Sequence, residues 1–534
     1  MRPPARVANR LSPLHGLAIG SVLAAILLAG CGALPPRGEV PPSKATEPSP
    51  DSPLVRMAEA SIPAPGLTGV RLMPHAAYSL DARIELIRRA KVSLDIQYYL
   101  IGNDLTGRLL LRNVRDAAKR GVRVRLLVDD LYTFGADPLF IGIAAFPNVE
   151  VRLFNPFCCA RDGLVSRYMA SLFDFRRLNH RMHNKLFIAD GAIVVAGGRN
   201  IADEYFARSM SGNFVDMDAF IIGAVVPKLV SIFDAYWNSA YAYPVAQIVA
   251  TERTREQLQE DFNKLVDEGD QMMKVRMPPQ DILGHGPITA ELDAGRLALD
   301  WGTANALADL PDKVRAMTAE EARRMSVQMN VFDLVAAARS EVVLCSPYFI
   351  PGKTGMEGFS ELRRRNVKVT ILTNSLASND ESVVFAGYAP YRPELLRVGV
   401  DLYELSATRV LLDNRQDIAI PGASLGRLHA KTAAIDGSMI FIGSMNLDPR
   451  SDSINTELGI IVRSPELARE VMRVIDDSKR RSAYRLRLAA DGRSLEWMTT
   501  GENGEVILDT EPDTTFMLRL QNVIFSPFIP EQEL

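Results

Sequence analysis

The sequence is poor in cysteine, in histidine and in net charge. Four Cys in 534 residues cannot form the disulfide framework of a small secreted scaffold. The 61 Lys and Arg nearly balance the 64 Asp and Glu, leaving a formal charge of −3. That supplies no polycationic surface for gripping nucleic acid. A hydrophobic share of 47% with 23% charged residues excludes disorder, collagen and coiled coil for the bulk of the chain. What remains is a large globular protein, long enough for more than one domain of about 100–200 residues.

The first thirty residues read as an export signal rather than as part of a fold. Arg2, Arg6 and Arg10 precede the apolar run Leu17 to Leu28, which is shorter than the roughly 20 residues a membrane span needs. Leu28-Ala29-Gly30-Cys31 resembles a bacterial lipobox, in which Cys31 is lipidated and becomes the new N-terminus. An uncleaved anchor helix is the competing account. Removing residues 1–30 deletes three Arg and no acid, taking the formal charge from −3 to −6. The lipid, not a basic patch, then holds the protein on a membrane. Gly32 follows the Cys where Asp commonly retains lipoproteins at the inner membrane. The expected location is the bacterial envelope, facing the periplasm, with outer-membrane residence a hypothesis and the choice between outer and inner membrane left open. Residues 31–66 are Pro-rich and predict an extended, solvated tether that stands the body off the bilayer. Adjacent Cys158 and Cys159 form no confident bridge, and Cys345 reads as core.

The body repeats once. Val92 to Leu100 matches Val342 to Ile350 in pattern, and Gly121 to Asp130 matches Asn366 to Ser375. Each set reads as strand, amphipathic helix, strand, with Leu109, Leu110, Val114 and Ala117 spaced as one helix face. His183 to Asp190 matches His429 to Asp436. Alternating strands and helices predict an α/β protein of two homologous lobes, each a mostly parallel sheet flanked by helices. The expected boundaries are 67–250 for the first lobe, 251–325 for a helical connection and 326–487 for the second lobe. Residues 488–534 predict a hairpin turning at Gly501 to Gly504, then an apolar tail packed on the core, with contact to lipid as the alternative.

Within the repeat stands H-x-K-x4-D, occurring twice: His183, Lys185 and Asp190, then His429, Lys431 and Asp436. Alternate strand positions share a face, so each His and Lys point together. Each Asp precedes a Gly and reads as the corner of a hairpin. The returning strands end in Gly197-Gly198-Arg199-Asn200 and Gly443-Ser444-Met445-Asn446. Gly permits close backbone approach, while Ser444, Asn200 and Asn446 offer hydrogen bonds to an oxyanion. His supplies a nucleophile or acid near neutral pH beside a fixed Lys charge. Only six His occur in the chain; His15 lies in the leader, and His75, His180 and His285 lack the constellation.

These motifs, with Leu94 to Tyr99, Gly198 to Tyr205, Ile442 to Ser451 and Asn455-Thr456-Glu457, resemble the phospholipase D superfamily. More narrowly, they resemble the bacterial cardiolipin synthase group, over residues 75–485. The resemblance implies two facing lobes with one site at their interface and a two-step exchange at a phosphodiester, without metal or cofactor. One His forms a phosphohistidine and the other serves as acid and then base. Family habit makes His183 the nucleophile. Lys185, Lys431, Asn200 and Asn446 would hold the non-bridging oxygens. Asp190 and Asp436 would be mainly structural. A carboxylate orients each His: Glu457 in one case and, by alignment of Asp218-Ala-Phe-Ile-Ile with Glu457-Leu-Gly-Ile-Ile, Asp218 in the other. Asp129 and Asp130, ending a strand, read as capping groups rather than metal ligands. Asp203 and Glu204 read as helix-start charge.

The leading activity is phosphatidyl transfer between phospholipids, with phosphatidylglycerol and then phosphatidylethanolamine as candidate substrates; the sequence names neither donor nor acceptor. The same residues fit a hydrolytic phospholipase D, and only exclusion of water separates the two. A nuclease conflicts with the acidic balance. A catalytically idle envelope scaffold conflicts with two intact motifs.

Overall fold

A computed structural model describes residues 34–170, 174–268, 277–315, 321, 326–410, 425–501 and 504–525. The leader, Cys31, parts of the 251–325 connection and the last nine residues lie outside the described residues.

The first lobe contributes β1 (Thr68–Met73), β2 (Ser93–Tyr98), β3 (Arg123–Asp129), β4 (Val149–Phe154), β5 (Leu186–Ala189), β6 (Ile193–Gly197), β7 (Gly212–Val215), β8 (Asp218–Gly223) and β9 (Ala242–Pro244). β10 (Asp300–Ala308) follows the connection. The second lobe adds β11 (Glu341–Cys345), β12 (Lys368–Asn374), β13 (Asp401–Leu405), β14 (Leu425–Leu428), β15 (Thr432–Ile435), β16 (Met439–Gly443), β17 (Leu458–Arg463), β18 (Ala483–Leu488) and the hairpin β19 (Leu495–Gly501) and β20 (Gly504–Leu508).

Hydrogen bonding runs β1–β8–β6–β5–β2–β3–β4–β9 in the first lobe. The second lobe repeats that order as β10–β17–β16–β15–β11–β12–β13–β18. In each lobe three strands are parallel and the rest antiparallel, so the sheets are mixed. The parallel strands are joined by helices such as Leu105–Lys119, as parallel neighbours require. Asp104 caps that helix by accepting from Gly107 N, and its Leu110, Leu111, Val114 and Ala117 are buried. β1 pairs antiparallel with β10, fusing both halves into one 18-stranded sheet. One apolar cluster spans this junction, holding Val70 and Leu72 with Ile440 and Ile460.

The Pro-rich segment does not stand away from the body. Leu34 packs on the first-lobe core. Trp237 Nε1 donates to Ser43 Oγ at 2.8 Å, and Arg125 donates to Ser43 O at 3.1 Å. α1 (Pro53–Ser61) begins at Ser52, which is fully buried and donates to Asp190 Oδ2 at 2.5 Å. Proline supplies no N–H, yet the intervening residues still present donors and acceptors, and first-lobe side chains satisfy them. Burial of Leu54, Val55 and Ala58 adds the apolar term.

The tail departs from expectation too. The helix Phe516–Phe525 packs Leu518 on the second-lobe core but leaves Phe516, Leu520 and Ile524 exposed.

Candidate active site

Each motif histidine is fastened by the opposite lobe. β7 pairs parallel with β14 across the lobes, delivering His429, whose N–H donates to Val215 O at 2.7 Å. Reciprocally, Met182 bridges Thr456, and His183 N donates to Thr456 O at 2.9 Å. The residue after each acceptor is a carboxylate. Glu457 receives His183 Nδ1 at 3.0 and 3.1 Å. Asp216 receives His429 Nδ1 at 2.6 Å. The two His–carboxylate pairs therefore cross the interface, and all four side chains are buried.

The strands that end behind these histidines hold them from the other side. Asp129, last in β3, accepts Met182 N at 2.8 Å and Arg181 Nη1 at 3.0 Å. Asn374, last in β12, accepts Leu428 N at 2.8 Å. Met182 and Leu428 directly precede the two histidines, so the matched strand ends perform the same service. Asp130 is occupied by Arg161, Thr133 and Phe157 N. Both carboxylates are thus committed to protein donors. Asp203 accepts from Thr106 N and Oγ1, which ties a short turn to the neighbouring helix.

Lys185 Nζ donates to His183 O and Lys431 Nζ to His429 O, both at 2.6 Å. Each ammonium keeps two further N–H groups for an anion. Burial dominates the protonation of this cluster. It pushes His183 down to about 4, against the opposing pull of Glu457. It likewise pushes His429 down to about 3, with Lys431 adding to the effect. Lys431 falls to about 8 and Lys185 well below its ordinary value, both through desolvation. Asp216 is held down at about 2 by His429 and Lys431, which outweigh its own burial. Glu457 is lowered in the same way by His183 and Lys185. Each lysine also depresses the other lobe's histidine, which places the four groups in one electrostatic unit. At neutral pH both imidazoles are uncharged. With Nδ1–H directed at the carboxylate, Nε2 carries the free lone pair.

Asp218, expected to orient the second histidine, does not do so. Its carboxylate pairs with Arg83 at 3.0 Å and accepts from Ser79, inside the first-lobe core. The strand register gives the reason. Gly197 pairs with Asp218, whereas Gly443 pairs with Gly459, so Asp218 corresponds to Gly459 and Asp216 to Glu457. Matching Asp218 to Glu457 is a slip of two, which preserves which residues face the core and is invisible to apolar patterning. Gly198 carries the missing signal: a Cβ there would overlap the Asp216 carboxylate.

Ser444 is not an oxyanion donor either. It donates to Glu457 Oε2 and accepts from Leu458 N, while Ser451, missed in the sequence, donates to Glu457 Oε1 at 2.8 Å. Asn200 Nδ2 bonds Tyr205 Oη at 2.9 Å. The side-chain oxygens of Asn200 and Asn446 are buried without a protein partner. Asp190 accepts from Lys91, Val92 and Ser93 N, and Asp436 from Arg339, Ser340 and Glu341 N. Both adopt positive φ at their hairpin corners, near 50°, and brace the start of β2 and β11 rather than reach the histidines. Tyr99 lies edge-on to His183 and Tyr205 edge-on to His429, each at 5.0 Å between ring centroids.

Two facing lobes with reciprocal His–carboxylate pairs and paired lysines define a phosphodiester-transferring site of the phospholipase D type. The family profile described as "Cardiolipin synthase, PLD-like domain" matches residues 83–237 and 331–478. The chain belongs to that family. It is 37% identical over 489 residues to cardiolipin synthase C of Escherichia coli K12, covering 88% of this chain and 98% of that protein. It is 24% identical over 401 residues to a cardiolipin synthase of Staphylococcus aureus Mu50, covering 74% and 64%. The fold matches a crystal structure of phosphatidylserine synthase from Haemophilus influenzae Rd KW20, with TM-score 0.54, 12% identity and coverage of 90% and 100%.

Proposed function

We propose that this chain transfers a phosphatidyl group from one phospholipid to a hydroxyl of another through a phosphohistidine. The crossed His–carboxylate pairs are the observation that carries this reading, and family membership supports phospholipid as the substrate. Nε2 of His183 attacks phosphorus, a P–N bond forms, and the P–O bond to the leaving alcohol breaks. His429 takes up a proton from solvent as the phosphodiester anion enters between the lysines, and gives that proton to the leaving alcohol. It then takes a proton from the incoming hydroxyl, whose oxygen forms the new P–O bond as P–N breaks. Lys185 and Lys431 neutralise the non-bridging oxygens. Assigning the nucleophile to His183 rests on family habit. Phosphatidylglycerol is the expected donor, phosphatidylethanolamine the second. Lipidation at Cys31 would hold the protein in the bacterial envelope on the periplasmic side. Because Leu34 packs on the first lobe, such an anchor would keep the body against the bilayer.

The test is the product spectrum. Purified protein incubated with phosphatidylglycerol, alone and mixed with phosphatidylethanolamine, is expected to yield cardiolipin that disappears in His183→Ala. Phosphatidic acid as sole product would replace transfer by hydrolysis. A covalent phosphatidyl adduct on residue 429 rather than 183 would reverse the two histidines.

A further inference from the structure

The polar site is flanked by outward-facing apolar side chains from both lobes. On the first-lobe side, the helix Leu164–Ala170 is apolar on two faces. Leu164 and Tyr168 point inward, into a cluster with Leu131, Phe157, Leu178, Tyr132 and Tyr99, and Tyr99 meets His183 edge-on. Val165 and Met169, also one turn apart, point outward at 76% and 61% exposure. Phe175, on the next short helix, is 50% exposed and lies against Tyr168.

The second-lobe side matches it. Phe516, Leu520 and Ile524 form an i, i+4, i+8 stripe on the last helix, with Phe516 70% exposed. That helix packs on Ser382–Tyr388, whose leading residues Asp380 and Glu381 act electrostatically on Lys431, Tyr205 and Tyr132. The first element thus adjoins the cleft through Tyr168 and Tyr99, and the second packs on the helix that follows Asp380 and Glu381.

Large exposed apolar residues rarely cluster on a soluble surface without a partner. The proposed phospholipid substrate identifies one. Of the arginines between residues 157 and 181, Arg167 and Arg181 are buried, Arg161 is held by Asp130 and Asp137, and Arg177 pairs with Asp174, which leaves Arg176 exposed beside Phe175. The last helix carries Arg519 and no acid. Exposed apolar side chains with an arginine beside them suit the boundary between headgroups and acyl chains.

We propose that these two elements dock on a phospholipid bilayer, straddling the cleft so that a lipid headgroup reaches His183 past Tyr168, Tyr132 and Tyr99 while its chains stay in the membrane. The proposal rests on phospholipid being the substrate.

The test uses the full-length protein with Val165→Trp or Leu520→Trp and vesicles of phosphatidylglycerol brominated along the acyl chains. Quenching of the added tryptophan is expected at both positions, independent of turnover and of any N-terminal lipid. Absence of quenching at both overturns the proposal. In parallel, Val165→Glu/Met169→Glu is expected to lower transfer at least tenfold on vesicles and less than twofold on a short-chain phosphatidylglycerol kept monomeric. An equal loss on both substrates would overturn docking in favour of a local structural role. Conversion of a wild-type dimer to monomer by the same substitutions, with no quenching, would assign the face to a second copy of the chain. Quenching without any transfer by wild-type protein would retain the docking surface and remove the proposed function.

Discussion

At the scale of single residues, two carboxylates at equivalent positions are supported differently. Glu457 is held by the hydroxyls of Ser444 and Ser451. Asp216 has neither, because Gly198 and Tyr205 occupy the matching positions, and its second oxygen accepts Met217 N at 2.7 Å. Ser444→Ala and Ser451→Ala are therefore expected to weaken the His183 pair alone, each by about 1.5–3 kcal/mol for a bond to a charged group. A shift of the acidic limb of the pH–rate profile, with KM unchanged, is the readout, since a purely structural loss would leave that limb in place. Asp216→Asn should lower kcat by about 10²–10⁴-fold, the usual contribution of a positioned acid or base. Asp218→Asn should act on stability instead. It leaves the buried Arg83 without its counter-charge, a defect worth about 3–5 kcal/mol, and thermal melting would reveal it.

The lysines give the residue scale a pH prediction. With Lys431 lowered to about 8 by burial, its charge is lost as pH rises through that value, and transfer should fall on the alkaline side. Lys431→Arg keeps its charge far higher and should move the limb upward even if the maximal rate is reduced. A limb that stays near pH 8 in this variant would assign it to another group.

At the scale of elements, the sequence revealed whatever was written as a repeated pattern and hid whatever depended on register. His183 and His429, their lysines and the returning strands stood out because the same residue types recur at one spacing. Asp216 did not, because the first lobe is longer between Asn200 and its carboxylate than the second lobe is between Asn446 and Glu457, and a two-residue slip keeps the strand pattern intact. The docked N-terminal segment was hidden for another reason. Proline-rich composition reports backbone stiffness, not whether a complementary groove exists elsewhere in the fold. Ser52 now joins that segment to Asp190, a motif residue that braces the start of β2. Ser52→Ala should cost about 1–3 kcal/mol by leaving a buried acceptor short of a donor. A chain of this size would show that as a fall in melting temperature at unchanged kcat. An unchanged melting temperature would mean the segment contributes no stability through this bond.

At the scale of the whole molecule, the interface between lobes holds its titratable groups in states that the unfolded chain would not keep. An unfolded histidine binds its proton near 6.5, but His183 does so in the fold only near 4 and His429 near 3. Between these values the unfolded chain carries more protons, so the histidine contribution to stability falls as pH drops from about 6.5 and is constant above it. Asp216, held at about 2 against an ordinary 3.8, extends the loss in the same direction below pH 4. The crossed pairs are also the contacts that bind lobe to lobe, so acid attacks the interface and the site together. Burial raises Glu404 and Asp448 to about 7 and Asp129 and Asp309 to about 6; in these the fold is the proton-binding state and they act with the opposite sign. The histidine contribution is therefore read as a difference between two proteins. As pH falls from 6.5 to 4, the melting temperature of His183→Gln/His429→Gln should rise relative to wild type, because neither residue can then take up a proton. A difference that stays constant over that range would place the acid sensitivity of the interface in groups other than the two imidazoles.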